Sequence, residues 1–171
     1  MKSHKAGKRS CRSCFGQHSR VGVVTVEMAL VTPILLVLLF GIIEFGLIFK
    51  DVSIMRQAAR EGVRAAAVGA TTDIIIAQVR SSAPTLRAED LTIELKYRVY
   101  DSGWPTWESA PTLGDAGTGG ATANNAPNGA QIRVRVTYPH HLISGRLFSG
   151  WSDDPDGRIM TLTSTCTMRR E

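Results

Sequence analysis

Between Met28 and Ile43 the chain runs 16 residues without a charged side chain, inside a longer apolar stretch from Val23 to Phe49. No other feature restricts the fold as strongly, because a run this apolar must be buried in a core or in lipid. Crossing a bilayer takes roughly 20 residues, so a spanning helix must extend to or past Glu27 and Glu44 at its two ends. Those glutamates are 17 residues apart, which is about 25 Å of helix against a hydrocarbon core of about 30 Å. Both carboxylates then reach opposite interfaces, where a charge costs well below the few kcal/mol expected at the bilayer centre. On this reading Glu44 is a boundary residue. A cleaved secretory signal fits poorly: the apolar stretch is too long, it holds acids, and the first alanine cluster is Ala65-Ala66-Ala67.

The formal charge of +5 invites a nucleic-acid or anionic-surface reading. The excess sits at the front, where residues 1–22 carry Lys2, Lys5, Lys8, Arg9, Arg12 and Arg20 and no acid. The remaining body is nearly neutral and has no basic stripe interleaved with aromatics, so nucleic-acid binding loses its support. The same distribution places the N-terminus in the cytoplasm and everything after Phe49 outside it. The expected organisation is therefore a basic cytoplasmic leader (1–22), a transmembrane helix (23–49) and an extracytoplasmic domain (50–171).

The helix is expected to continue beyond the membrane. In DVSIMRQAAREGVRAAAVG (51–69), Val52, Met55, Ala59, Val63 and Ala66 recur at three- and four-residue spacing, with Arg56, Arg60 and Arg64 on another face. A helix from about 23 to 68 would be about 70 Å long, and Pro33 falls in the half where lipid-embedded helices tolerate it. TTDIIIAQVRSSAP reads as a short second helix, with Thr72 or Asp73 as its cap and Pro84 at its end.

After that the period becomes two. Leu91, Ile93, Leu95, Tyr97 and Val99 alternate with polar residues, as do Ile132, Val134, Val136 and Tyr138 over 131–138. The tail IMTLTSTCTMRRE sets Met160, Leu162, Ser164, Cys166 and Met168 against a threonine-rich face. Three one-sided strands need an apolar surface, and the projecting amphipathic helix supplies one. The fold class is thus α+β: a long helix, a short helix and a small antiparallel sheet of about three strands packed on the helix. Residues 101–129, rich in Gly, Ala, Asn, Pro and Thr, read as an exposed, flexible loop, with Trp104 and Trp107 able to fold back on the sheet.

Little in the chain offers catalysis or a cofactor. Cys11-x-x-Cys14 with His4 and His18 has zinc-ligand residue types, but one CxxC without a second knuckle reads as incidental in a leader. His140 and His141 follow Pro139 at a strand end and point to opposite sides if extended, so a shared metal is disfavoured and a solvated turn is expected. Asp153, Asp154 and Asp156 lack the spacing of an EF-hand loop and read as an acidic turn. Gly41, Gly46, Gly62 and Gly69 do not form GxxxG. The expectation is no enzyme, no metal, no cofactor, no nucleic acid and no small-molecule substrate.

Glu27 carries the remaining functional signal. Gly22 sits five residues before it, where the basic tail meets the apolar helix. Cleavage after Gly22 would make Val23 the N-terminal residue, its new α-amine one helical turn from Glu27 and able to neutralise it within the chain or in a neighbouring helix. Without cleavage, the segment is a plain anchor with Glu27 at headgroup level.

The basic leader, Gly22, Glu27, the apolar helix, GIIEFG, QAAREGVRAAAVG, VRVTYP at 134–139 and the closing strand ending in MRRE together resemble TadE-like pseudopilins. Residues 101–129 are the part least like them, and Met28 stands where an aromatic often follows the family's glutamate. The resemblance implies a pilin-like fold and a minor subunit of the tight-adherence (Flp) type IV pilus system, supporting adhesion and secretion. It also implies the bacterial inner membrane, with other pilin-like subunits, the pilus assembly platform and a prepilin peptidase as partners. Carried over by position, Gly22 ends the leader, Val23 begins the mature chain, and Glu27 is the acid that neutralises charge in assembly. The competing expectation is a single-pass anchored extracytoplasmic binding module, in which the helix only tethers and the 101–129 loop meets a ligand.

Overall fold

The computed structural model describes residues 18–101, 103–114, 123–144, 150 and 152–171, with side chains from residue 22 onward. The element order is α1 (His18–Ala67), α2 (Thr72–Ser81), β1 (Thr92–Arg98), β2 (Gln131–His141) and β3 (Ile159–Arg169). Residues 1–41 form one compact unit and residues 42–171 a second, and α1 contributes to both.

In the first unit the described side chains of α1 are almost all exposed, from Val23 through Phe40. Among the described residues, this is the one helix long and apolar enough to cross a membrane. Pro33 lies inside α1 without ending it. The preceding Thr32 turns its hydroxyl back onto the Met28 carbonyl at 2.7 Å, the internal satisfaction that a hydroxyl in lipid requires.

The second unit is a three-stranded antiparallel sheet in the order β1-β2-β3 laid against the apolar face of α1 and against α2. Register follows the alternation: Leu95 opposes Val134 across β1 and β2, and Val134 opposes Cys166 across β2 and β3. Ile132, Val134, Val136, Leu95 and Leu162 meet Met55, Ala58, Ala59, Val63, Ala66, Ile75 and Val79 in one core. The long helix, the short helix and the sheet are all as the sequence implies.

Small residues set how closely α1 approaches its neighbours. A Cβ on Gly62 would collide with Cγ2 of Val79 on α2 and sit 3.4 Å from Cγ1 of Val134 on β2. Gly62 therefore serves packing within one chain and not a helix dimer. Gly62→Ala should lower the unfolding free energy by about 1 kcal/mol: overpacking of roughly 1–3 kcal/mol outweighs about 1 kcal/mol of helix propensity. Urea unfolding of the two proteins side by side measures it, and a stabilised variant would mean that Val79 yields freely.

The C-terminus of α1 is closed by Gly69 at φ +86°. The Gly69 N–H donates to the Ala66 carbonyl and the Ala70 N–H to the Ala65 carbonyl, both at 3.1 Å, a Schellman pair that spares two terminal carbonyls from going unbonded. Asn124 Nδ2 caps the Ala66 carbonyl a second time at 2.8 Å. The Arg170 guanidinium holds Asn124 and the Ala126 carbonyl, placing a cation at the negative end of the helix. At α2 the cap position is Thr71, one residue earlier than expected, and its side chain makes no capping bond.

The 101–129 segment differs from an open excursion. Ala110, Leu113 and Ala126 are buried, and a bridge between Lys96 and Thr112 ties the segment to β1. Trp107 lies over the outer face of the sheet between two guanidiniums, 4.2 Å from Arg98 and 4.7 Å from Arg133. Those stacks shield Arg133, whose guanidinium is pushed below its ordinary pKa by burial and then by neighbouring Arg135. Glu94 sits among Lys96 (3.0 Å), Arg135 (3.4 Å) and Arg133 (3.8 Å). The Lys96 hydrogen bond, first among its neighbours, holds its carboxyl below the usual carboxylate range. Residues 115–122 of the segment lie outside the described residues.

Candidate functional site

Two sets of acidic residues on α1 separate clearly. Gly22, Val23 and Glu27 belong to the first unit, all exposed on the helix surface. Among the described residues, nothing lies within 4 Å of where a Gly22 Cβ would stand. Val23 and Glu27 are four residues apart on a continuous helix and therefore share a face. Glu27 makes no ion pair among the described residues. Cys11, Cys14 and His4 lie outside the described residues, and His18 is described by its backbone alone.

Glu44, expected as a boundary residue, is also a packed one. It belongs to the second unit and is 4% exposed, buried beneath the segment that follows β2. Its Oε1 accepts the Ile143 N–H at 3.2 Å and its Oε2 the Ser144 N–H at 2.9 Å. A carboxylate that takes two backbone donors replaces much of the water it has lost.

The second partner is His140, and here too the sequence expectation needs correction. β2 does not stop at Tyr138; it runs through Pro139 and His140 to His141. His140 is 5% exposed, while His141 faces solvent on the opposite side. The solvated turn expected there is replaced by a ladder in which His140 opposes Met160 and His141 opposes Ile159. The signal was present: His140 continues the even-numbered series Ile132, Val134, Val136, Tyr138 that faces the helix.

The imidazole of His140 lies between two carboxylates of α1. Its Nδ1 is 2.8 Å from Asp51 Oδ2 and its Nε2 is 3.4 Å from Glu44 Oε1. Asp51 is itself 6% exposed, with the Lys50 ammonium 3.3 Å from its other oxygen. Glu44 and Asp51 are seven residues apart, two turns of one helix face, so one ring on β2 engages both. A neutral ring donates through one nitrogen, whereas an imidazolium donates through both. The two nitrogens point away from each other toward separate carboxylates, so the three side chains do not converge on a common ion. The arrangement clamps the sheet and the segment 142–144 to α1.

Comparison with curated proteins and with solved structures returned no match. Residues 22–64, the stretch of α1 that carries Gly22, Glu27, Glu44, Asp51 and Gly62, match the family model of the TadE-like proteins, the family that the sequence resembles.

Proposed function

We propose that the chain is a non-enzymatic, minor pilin-like subunit that supports assembly of a tight-adherence type IV pilus. The TadE-like match over α1 carries this reading, because it falls on the helix and its acids. The chain sits in the bacterial inner membrane through that helix, its N-terminus cytoplasmic and residues 50–171 extracytoplasmic, and it works with other pilin-like subunits and the assembly platform.

A prepilin peptidase cuts between Gly22 and Val23. That bond lies within α1, so the peptidase must open the helix locally. Gly22 lowers the cost, since glycine disfavours helix by about 1 kcal/mol relative to alanine and no described residue packs on it. The α-amine released on Val23 lies one turn from Glu27 and neutralises it, within the chain or across two packed helices.

N-terminal sequencing and intact mass of the protein from cells with and without the peptidase test the processing step. The expected chain begins at Val23 in the first and at Met1 in the second. A full-length chain in both would leave only a membrane anchor.

A further inference from the structure

The two edges of the sheet are treated differently by the chain. The outer edge of β1 is covered by residues 111–113: the Tyr97 N–H donates to the Pro111 carbonyl at 3.1 Å and the Leu113 N–H to the Leu95 carbonyl at 2.9 Å. Among the described residues, the outer edge of β3 is covered only at its start. There the Asp153 N–H donates to the Ile159 carbonyl at 2.9 Å, and Asp153 Oδ2 accepts the Thr161 N–H at 2.8 Å.

Those two bonds establish the direction of every group along β3. Ile159 and Thr161 turn their backbone polar groups away from β2, and strand geometry repeats every second residue. Thr163, Thr165 and Thr167 therefore direct theirs to the same open side, and among the described residues no strand pairs with them there. An open edge of this kind is a template for another strand.

The open part of the edge borders a basic groove. Thr163, Ser164, Thr165 and Cys166 form one wall of a groove of about 420 Å³, and Arg56 and Arg60 of α1 form the other. Arg64 is paired with Glu61 at 3.2 Å, but Arg56 and Arg60 have no ion pair among the described residues. They are one turn apart, so the pair repels itself unless an anion lies between.

We propose that this edge binds an extended acidic segment of a partner protein by β-strand addition, its backbone pairing with Thr163–Thr167 and its carboxylates meeting Arg56 and Arg60. The chain already shows the chemistry at residue 161, where its own aspartate occupies the edge. A second copy paired through β3 fits badly: residues 159–169 contain no Asp or Glu, so edge-to-edge pairing would supply no counter-charge to the arginines. Main-chain pairing provides the register and the arginines select the charge.

The test uses the full chain in detergent micelles and two labelled peptides, one alternating valine and glutamate, the other valine and lysine. The glutamate peptide should bind at least about tenfold more tightly and slow hydrogen exchange at the Thr163 and Thr165 amides. The double variant Arg56→Glu with Arg60→Glu, at two exposed positions, should invert the preference. Thr165→Pro should weaken binding by about tenfold and leave the far-ultraviolet spectrum unchanged, because the lost N–H faces the open edge and not β2. Equal binding of both peptides would overturn the proposal. So would binding that leaves the β3 amides unprotected, which would place the anion on the arginines alone. Self-association abolished by Thr165→Pro, with neither peptide bound, would overturn it in favour of a second copy.

Discussion

Glu27→Gln should abolish incorporation of the chain into pili while leaving its membrane insertion intact. On the proposed processing the carboxylate becomes the partner of the Val23 α-amine, and packing of helices side by side would remove both groups from water. Taking away one member of a buried charge pair costs about 3–5 kcal/mol, because the other charge is left uncompensated. At about 1.4 kcal/mol per tenfold, that is a loss of roughly two orders of magnitude or more in assembly. Insertion depends on the apolar run instead, and removing a charge from it favours lipid. Counting surface pili and fractionating membranes in the same strain separates the two. The effect should also be non-additive with a block on cleavage: once a bulky residue at Gly22 prevents processing, no amine forms, and Glu27→Gln should do little more. A variant that assembles normally would reduce the helix to a tether.

The clamp at the other acidic residues predicts an effect of similar size on stability. Glu44→Ala should destabilise the unit formed by residues 42–171 by about 3–4 kcal/mol, since it strands two backbone N–H groups and removes one of the two carboxylates facing the His140 ring. For a domain this size that is roughly 10 °C in Tm. His140→Leu should cost less than the sum of its parts, because Glu44 keeps its bonds to Ile143 and Ser144 while Asp51 keeps Lys50. A double-mutant cycle between Glu44 and His140 isolates their coupling, expected at about 1–3 kcal/mol. Additive losses would mean that the 3.4 Å approach of ring and carboxylate carries no energy.

Both outcomes bear on why an apolar helix keeps two carboxylates. At about 25 Å apart along the helix, Glu27 and Glu44 are alike in being able to reach opposite interfaces. They differ in what surrounds them: Glu27 is exposed on α1, whereas Glu44 is covered by a segment some hundred residues later in the chain. The unit formed by residues 42–171 thus begins inside the apolar stretch, and Glu44, Ile48 and Asp51 face its interior.

Much of the architecture was open to local reasoning. Hydrophobic spacing of three and four over 51–69 located the packed face of α1, Pro84 marked the end of α2, and alternation placed Leu95, Ile132, Val134, Val136 and Leu162 inward, while Val99 and Met168 are exposed and His140, read as part of a turn, is buried. These features follow from periods of 3.6 and 2 that any stretch of chain carries within itself. The composition of 101–129 was less informative, since glycine and threonine content says nothing about Trp107 finding two arginines or Leu113 finding β1.

What the sequence determined by itself is the membrane-competent helix, its five-residue step from Gly22 to Glu27, and the one-sided strands that must cover its amphipathic half. What only the tertiary structure decided is which distant residues meet: His140 between Glu44 and Asp51, Gly62 under Val79, and β3 beside Arg56 and Arg60 with an edge that no described strand pairs. The reason is range. Periodicity is a property of neighbours in the chain, whereas the buried contact of His140 with Asp51 depends on residues about 90 positions apart meeting at 2.8 Å, and that distance exists only once the sheet has docked on the helix.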